Sequence, residues 1–232
     1  MSDGQPDSTT PESTTPESTT LAESLLRYDI ALDPPCVAVL DAYREALWQW
    51  NEQLNLTRHT TFDKFVTRDV VDSLELAKLL GRGERVLDVG TGGGVPGLVL
   101  AICRPDLRVQ LCESTQKKAR AVQAMVQRLS LPIEVHGCRA EELLELRTFD
   151  TLVARAVAPL AKLLRWFDSQ WDAFDQLLLI KGRSWVEERR EARHLGLLRS
   201  LELRKAATYR TPGTEAESVI LKIYPKRSAE EP

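Results

Sequence analysis

The sequence predicts an α/β domain in which five parallel strands and a terminal antiparallel hairpin form one seven-stranded sheet. Short apolar runs alternate with amphipathic stretches between residues 86 and 198, as in parallel sheets that helices cover on both faces. The last two runs follow each other without a helix between them. A glycine-rich stretch, DVGTGGGVPG at residues 88–97, directly follows the first run. The 232 residues and 43% hydrophobic content suit one domain with a small appendage.

The chain begins with a low-complexity segment. Residues 8–20 read STTPESTTPESTT, and burial of so few apolar groups cannot offset the entropy lost on ordering them. We therefore predict a disordered tail at residues 1–20 and a short C-terminal tail at residues 227–232. Between them we place a helical cap at residues 21–80 and the sheet domain at residues 81–226.

The elements follow from the spacing of apolar residues. Helical spacing predicts two cap helices, at 35–54 and 62–80. The predicted parallel strands are 86–89, 108–112, 133–136, 151–154 and 177–181, and the predicted hairpin strands are 201–209 and 218–224. The predicted helices between and after the parallel strands are 96–103, 115–129, 140–146, 159–167 and 185–198.

Composition excludes several classes of protein. No apolar run approaches the roughly 20 residues of a membrane span, and the N-terminus lacks the pattern of a secretion signal, so we expect a cytoplasmic protein without a membrane partner. The four cysteines show no CxxC spacing and the three histidines lie far apart, so we expect no metal site. The net charge of −3 does not indicate whether the protein binds nucleic acid. Residues 181–210 nevertheless hold nine bases against four acids.

Two nucleotide cofactors compete for the glycine-rich stretch. Residues 92–97 match GxGxxG, the dinucleotide pattern, and residues 88–94 match DxGxGxG. A carboxylate at Asp88 would repel a pyrophosphate, but it suits the ammonium and sulfonium of S-adenosylmethionine. Side chains at Gly90 and Gly92 would occupy the space of the methionine portion. Glu113, at the end of the second strand, can accept hydrogen bonds from ribose hydroxyls in either case. The Asp88 argument and the terminal hairpin favour S-adenosylmethionine over NAD.

Seven segments then occur in a specific order within residues 40–210. They are Trp50-Asn51, Asn55-Leu-Thr57, Arg68 with Asp72-Ser73, the stretch 88–97, Arg139-Ala-Glu-Glu142, Ala154-Arg-Ala156 and Lys181-Gly182. Together they resemble the bacterial 16S ribosomal RNA guanine-N7 methyltransferase G family, also called glucose-inhibited division protein B. Two positions depart from it: Asp69 stands where the family usually has His, and Ala154 where Ser is common.

The resemblance implies a Rossmann-like fold and methyl transfer from S-adenosylmethionine to N7 of one guanine, in the decoding-region loop of 16S ribosomal RNA. The partner would be that RNA or the small ribosomal subunit, and we expect a monomer. Cofactor contacts are implied at Gly90 and Val95 and, near the adenine, at Ala140 and Glu141. Arg155 would face the active site.

Guanine N7 carries a lone pair and no proton, so methyl transfer to it needs no general base. The protein mainly has to orient the two reactants. The sequence agrees, because it offers no histidine or cysteine constellation and no Asn-Pro-Pro-Tyr motif of amino-group methylation.

Arg155 ends the fourth strand, where ligands collect in open α/β sheets. Its position alone leaves a functional and a structural role open, and the resemblance makes Arg155 the candidate catalytic residue. Its guanidinium could meet a guanine edge, a phosphate or the cofactor carboxylate. The alternative is a structural ion pair with Asp88 or Glu113.

Two other functions stay open from the residues alone. One is a methyltransferase for a small molecule or a protein, and the other is an RNA-binding protein with a vestigial cofactor pocket. The intact glycines, Asp88 and Glu113 argue against the second.

Overall fold

The computed structural model describes residues 16–226, and its seven strands form one sheet in the order β3-β2-β1-β4-β5-β7-β6. The first five strands are parallel, and β7 pairs antiparallel with β5 and β6. The predicted architecture is therefore confirmed. The strands are β1 (Arg85–Val89), β2 (Arg108–Cys112), β3 (Glu134–His136), β4 (Phe149–Arg155), β5 (Phe174–Lys181), β6 (Leu201–Arg210) and β7 (Glu217–Pro225).

The central strands bury both faces because most of their residues are apolar. Successive side chains of a strand point to opposite faces, and so Val86 belongs to one hydrophobic core while Leu87 belongs to the other. Val153 and Leu152 of β4 are divided in the same way. The sheet thus has a hydrophobic core on each face, as the alternation of apolar runs and amphipathic stretches predicted.

The helices lie close to their predicted places. They are α1 (Leu21–Arg27), α2 (Pro34–Asn51), α3 (Phe62–Lys64), α4 (Val71–Ala77), α5 (Gly97–Cys103), α6 (Gln116–Arg128), α7 (Ala140–Leu144), α8 (Leu160–Trp166) and α9 (Trp185–His194), with a 3₁₀ turn at Trp171–Ala173. The last helix ends at His194 instead of residue 198. Gly196 has a φ of +73° and the Leu197 amide donates to the Ala192 carbonyl, which is a glycine-based helix stop.

The predicted cap helix 62–80 contains an irregularity. A π-helical segment, Phe65–Val70, joins α3 to α4, and the helix ends at Ala77. Such wide turns occur frequently at functional sites. Here the Arg68 carbonyl accepts a hydrogen bond from Arg155 of β4 at 3.1 Å, and Asp69 forms an ion pair with the same arginine.

The end of the predicted N-terminal tail, residues 16–20, is part of the described structure. Residues 1–15 of that tail and the whole predicted C-terminal tail, residues 227–232, lie outside the described residues. Within 16–20, however, Ser18 is buried and donates from its amide and hydroxyl to Asp63. Thr20 caps α1, a helix that the sequence analysis did not identify, by accepting a hydrogen bond from the Glu23 amide.

The cap shares its hydrophobic core with one face of the sheet. Leu40, Tyr43 and Leu47 of α2 belong to the same buried cluster as Leu98 of α5 and Val86 of β1. The cap and the sheet domain, which the sequence analysis divided at residue 80, therefore share one continuous core. The boundary itself stays a prediction. Within residues 16–226, no helix combines the length and the apolarity that crossing a membrane requires.

Candidate active site

The glycine-rich loop between β1 and α5 is held against the end of β2. The amides of Gly90 and Thr91 donate to the Cys112 carbonyl, over 2.8 and 3.1 Å. Gly90, Gly92 and Gly94 have φ of +65°, +60° and +105°, a region that residues with a side chain rarely adopt. The loop conformation therefore requires glycine at these positions.

Two of these glycines also keep space free. A Cβ on Gly90 would lie 2.8 Å from the Val157 side chain that follows β4. A Cβ on Gly92 would meet no atom closer than 3.9 Å. Since Gly92 lines an open cleft, a side chain there would extend into that cleft.

Asp88 fixes this loop from behind. Its carboxylate is fully buried, and Oδ2 accepts hydrogen bonds from the Thr91 hydroxyl at 2.5 Å and the Gly97 amide at 2.8 Å. The predicted contact between Asp88 and the cofactor ammonium does not fit this geometry, because Asp88 does not line the cleft. The carboxylate instead sets the conformation of the glycines that do.

The burial of Asp88 makes stability depend on pH. Burial raises the pKa of its carboxyl from 3.8 to about 6, against the hydrogen bonds from Thr91 and Gly97. A folded-state pKa above the unfolded one stabilises the fold below pH 4, and that stability is lost as the pH rises through 6. Asp88→Asn cannot titrate, so the variant should gain stability relative to the wild type from pH 4 to 7, by up to about 3 kcal/mol. Urea unfolding across this range measures the difference, and parallel pH curves would contradict the prediction.

Glu113 borders the cleft at the end of β2. Its Oε2 accepts from the Gly92 amide at 3.1 Å and its Oε1 from the Thr115 amide at 2.7 Å. A carboxylate has about four lone-pair positions, so roughly two remain for a ligand. The residue thus joins the glycine loop to the start of α6 and can still bind hydroxyl groups.

The cleft has a volume of about 420 Å³ and opens at the carboxyl ends of β1, β2 and β4, where ligands bind in open α/β sheets. Five predicted site residues line it: Gly90, Gly92, Val95, Glu113 and Arg155. The others in its wall are Leu47, Leu56, Thr57, Thr91, Gly93, Ser114, Lys118, Ala156, Val157 and Trp166. Grooves of about 1110 and 740 Å³ exist elsewhere, but they contain none of the predicted site residues.

The two predicted adenine-side residues lie beside the cleft and not in its wall. Ala140 is buried at the start of α7, and the carboxylate of Glu141 is 2.8 Å from the Arg139 guanidinium. That guanidinium lies 5.8 Å from the ring of Trp166, which does line the cleft. The sequence analysis missed Trp166, because nothing in its local pattern distinguishes a cleft residue from a core residue at the end of a helix.

The cap supplies one wall of the cleft through a loop that Asn51 organises. The Asn51 side-chain oxygen accepts from the amides of Leu56 and Thr57, both of which line the cleft. The Tyr43 hydroxyl donates to the Gly93 carbonyl at 2.8 Å. Asn51, Leu56 and Thr57, which belong to two of the motifs that carry the resemblance, therefore shape this wall.

Arg155 forms an ion-paired cluster with the π-helical segment and the start of α4 in the cap. Its Nη2 lies 2.6 Å from Asp69 Oδ1 and its Nη1 lies 3.1 Å from Asp72 Oδ2. The sequence analysis offered an ion pair with Asp88 or Glu113 as the alternative. The structure instead pairs Arg155 with Asp69 and Asp72, which are 86 and 83 residues away in the chain. Burial alone would lower the pKa of Arg155, but the two carboxylates outweigh it and raise the pKa.

The two acidic partners are themselves buried and shared. His59 Nδ1 lies 2.8 Å from the same Asp69 oxygen, and the Tyr209 hydroxyl donates to Asp72 at 2.7 Å. Burial raises the pKa of Tyr209, so it remains a neutral donor. Asp69 is therefore an integral part of the cluster: the departure from the family pattern brings an acid into contact with both Arg155 and His59.

Within the described residues, no group of three or more histidine, cysteine, aspartate or glutamate side chains is arranged to hold a metal ion. The Lys181 ammonium, at the end of β5, is 2.7 Å from Glu188 and donates to the Ala158 carbonyl. Through these two contacts Lys181 links α9 to the loop after β4.

The fold is similar to that of two solved structures. TrmK of M. capricolum, solved with S-adenosyl-homocysteine, matches with a TM-score of 0.52 and 13% identity over 68% of this chain and 71% of that one. MtNAS in complex with MTA and tNA matches with a TM-score of 0.53 and 15% identity, over 89% and 75%. At these identities the likeness concerns the fold alone.

Sequence similarity is far closer and spans the site. Residues 37–215 match the family described as rRNA small subunit methyltransferase G, GidB. The Ribosomal RNA small subunit methyltransferase G of Rhodopirellula baltica is 52% identical over 186 residues, 80% of each chain. That of Nitrosococcus oceani is 36% identical over 90% of this chain and 96% of its own. The chain therefore belongs to the rRNA small subunit methyltransferase G family.

Proposed function

We propose that this protein transfers a methyl group from S-adenosylmethionine to N7 of a guanine in the decoding-region loop of 16S ribosomal RNA. One observation carries the proposal: three of the motifs that resemble the family, at residues 55–57, 88–97 and 154–156, line one cleft at the carboxyl ends of β1, β2 and β4. Family membership supports the ribosomal RNA as substrate. The choice of N7 and of the loop rests on the resemblance and on the chemistry of the cleft.

The cleft suits S-adenosylmethionine, which supplies the methyl group as an electrophilic sulfonium. Gly90 and Gly92 leave the loop surface bare where a methionine portion would lie, and Val95 adds an apolar wall. Glu113 retains lone pairs for ribose hydroxyls. Trp166, with Arg139 beside it, offers a flat surface for an adenine ring.

The residues around the cleft are suited to an acceptor that needs no deprotonation. Among the described residues of the cleft wall there is no histidine and no cysteine, and the carboxylate of Glu113 is engaged by two amides. An acceptor hydroxyl or ring carbon would call for a base, whereas guanine N7 presents a free lone pair. Orientation of the two reactants is then the main contribution of the protein.

RNA would approach over the start of α6. Lys118 lines the cleft, and Lys117 on the same turn is exposed. We expect Lys118→Gln to weaken RNA binding several-fold and to reduce the slope of log affinity against log salt by about 1, because one phosphate contact is lost. Filter binding at several salt concentrations measures both. Arg120→Gln, on the opposite face of α6, is the matched control, and equal effects of the two variants would contradict this approach of the RNA.

The substrate class is tested with methyl-labelled S-adenosylmethionine. The acceptors are small subunits and deproteinised 16S RNA from cells that lack the activity, together with protein and metabolite fractions. We expect label in the RNA or the subunit. Label only in protein or in metabolites would replace the proposal with the corresponding methyltransferase. Cofactor binding without label in any fraction would indicate an RNA-binding protein with a vestigial pocket.

A further inference from the structure

Two cysteine side chains that take no part in the cleft lie in contact between the cap and the sheet domain. Cys36 is in the first turn of α2 and Cys103 is the last residue of α5, and their sulfur atoms are 3.3 Å apart. We propose that Cys36 and Cys103 are an oxidisable thiol pair, which a hydroperoxide converts into a disulfide that ties the cap to the sheet domain. The proposal is independent of the function proposed above.

The pair is accessible to a small oxidant. Both cysteines are half-buried, and both line the groove of about 740 Å³ between α2, α5 and the β3 edge of the sheet. The groove is bordered by Val39, Ile102 and Leu131. A hydroperoxide is small and uncharged, so such a wall does not exclude it.

The reaction needs one hydroperoxide. The Cys36 sulfur attacks one oxygen of hydrogen peroxide and the O–O bond breaks. The other oxygen departs as water with the Cys36 proton, and Cys36 becomes a sulfenic acid. The Cys103 sulfur then attacks the Cys36 sulfur, the S–O bond breaks, and the departing hydroxide leaves as a second water with the Cys103 proton.

The resulting bond would close a ring around the glycine loop. The α2 helix that starts near Cys36 also holds the Gly93 carbonyl through Tyr43, and the α5 helix that ends at Cys103 begins at Gly97. Because the sulfur atoms already touch, the bond should form without displacing either helix. It would cross-link residues 67 positions apart, and long closed loops favour a large stabilisation.

The test is a peptide map of reduced protein treated with hydrogen peroxide and then alkylated. We expect a disulfide-linked peptide that joins Cys36 to Cys103, the loss of two of the four free thiols, and reversal by dithiothreitol. The melting temperature should rise by roughly 5–10 °C. Four alkylatable thiols after treatment, or a link between other cysteines, would overturn the proposal.

Matched variants separate the pair from the remaining cysteines. Cys112 and Cys138 form the control, because the Cys112 thiol donates to the Cys138 carbonyl in a separate part of the fold. Cys138→Ser should keep the peroxide-induced rise in melting temperature, and Cys36→Ser should lose it. A rise that persists in Cys36→Ser would contradict the assignment. If that variant folds poorly, the peptide map of the unaltered protein decides alone.

Discussion

Replacing Arg155 with alanine should lower the free energy of unfolding by about 3–5 kcal/mol, the cost of leaving buried charges without a partner. The substitution leaves Asp69 and Asp72, which are 0% and 1% exposed, without the guanidinium between them. Asp69 Oδ2 already lacks a hydrogen-bond partner among the described residues. His59 and Tyr209 each contact only one of the two carboxylates, so they cannot replace Arg155.

Urea unfolding of the variant measures this loss, with Arg165→Ala, an exposed arginine on α8, as the control. The control should stay within about 0.5 kcal/mol of the wild type. Because Arg155 also lines the cleft, methyl transfer should fall in variant protein that is assayed while folded. A fully stable Arg155→Ala protein would contradict the structural role of the cluster, and a fully active one would contradict a role of Arg155 in the cleft. Lost transfer at unchanged stability would instead indicate that Arg155 acts only on ligands.

Gly92→Val should abolish binding of S-adenosylmethionine while the fold persists. The valine side chain would occupy the open cleft next to Gly92, and the φ of +60° adds backbone strain of about 1–3 kcal/mol. Isothermal calorimetry measures the binding, and circular dichroism confirms that the variant is folded. Retained affinity would show that the cofactor binds elsewhere.

Gly83→Val separates the strain from the lost space. Gly83 has a φ of +74°, and a Cβ added to it would meet no atom within 4 Å. It therefore shares the backbone conformation and the open surroundings of Gly92, but it precedes β1 and so lies at the opposite end of that strand from the cleft. Its replacement should cost similar stability and leave cofactor affinity unchanged. Equal losses of affinity in the two variants would mean that strain alone explains the effect.

The sheet and most helices could be predicted because they depend on local periodicity. Uninterrupted apolar runs such as 177–180 mark strands buried on both faces. The glycine-rich loop can be recognised because a positive φ favours glycine. The helix α1 could also have been found, since Thr20 stands three residues before Glu23, the spacing of a capped helix start. Its two buried leucines, Leu21 and Leu25, are too few to reveal a period.

The partners of the site residues could not be predicted, because they come from distant parts of the chain. Asp88 was expected to face the cofactor, but its position in the loop turns it towards the Gly97 amide. Arg155 was expected to pair with a neighbouring strand end, but packing of the cap brings Asp69 and Asp72 to it instead. Neither contact leaves a signature in the spacing of residues.

The most direct test of the proposed function is identification of the methylated nucleoside. Small subunits or deproteinised 16S RNA would be methylated with labelled S-adenosylmethionine, digested with nucleases and mapped by mass spectrometry. We predict 7-methylguanosine at a single position in the decoding-region loop. A different methylated nucleoside, or 7-methylguanosine outside that loop, would contradict the proposed reaction.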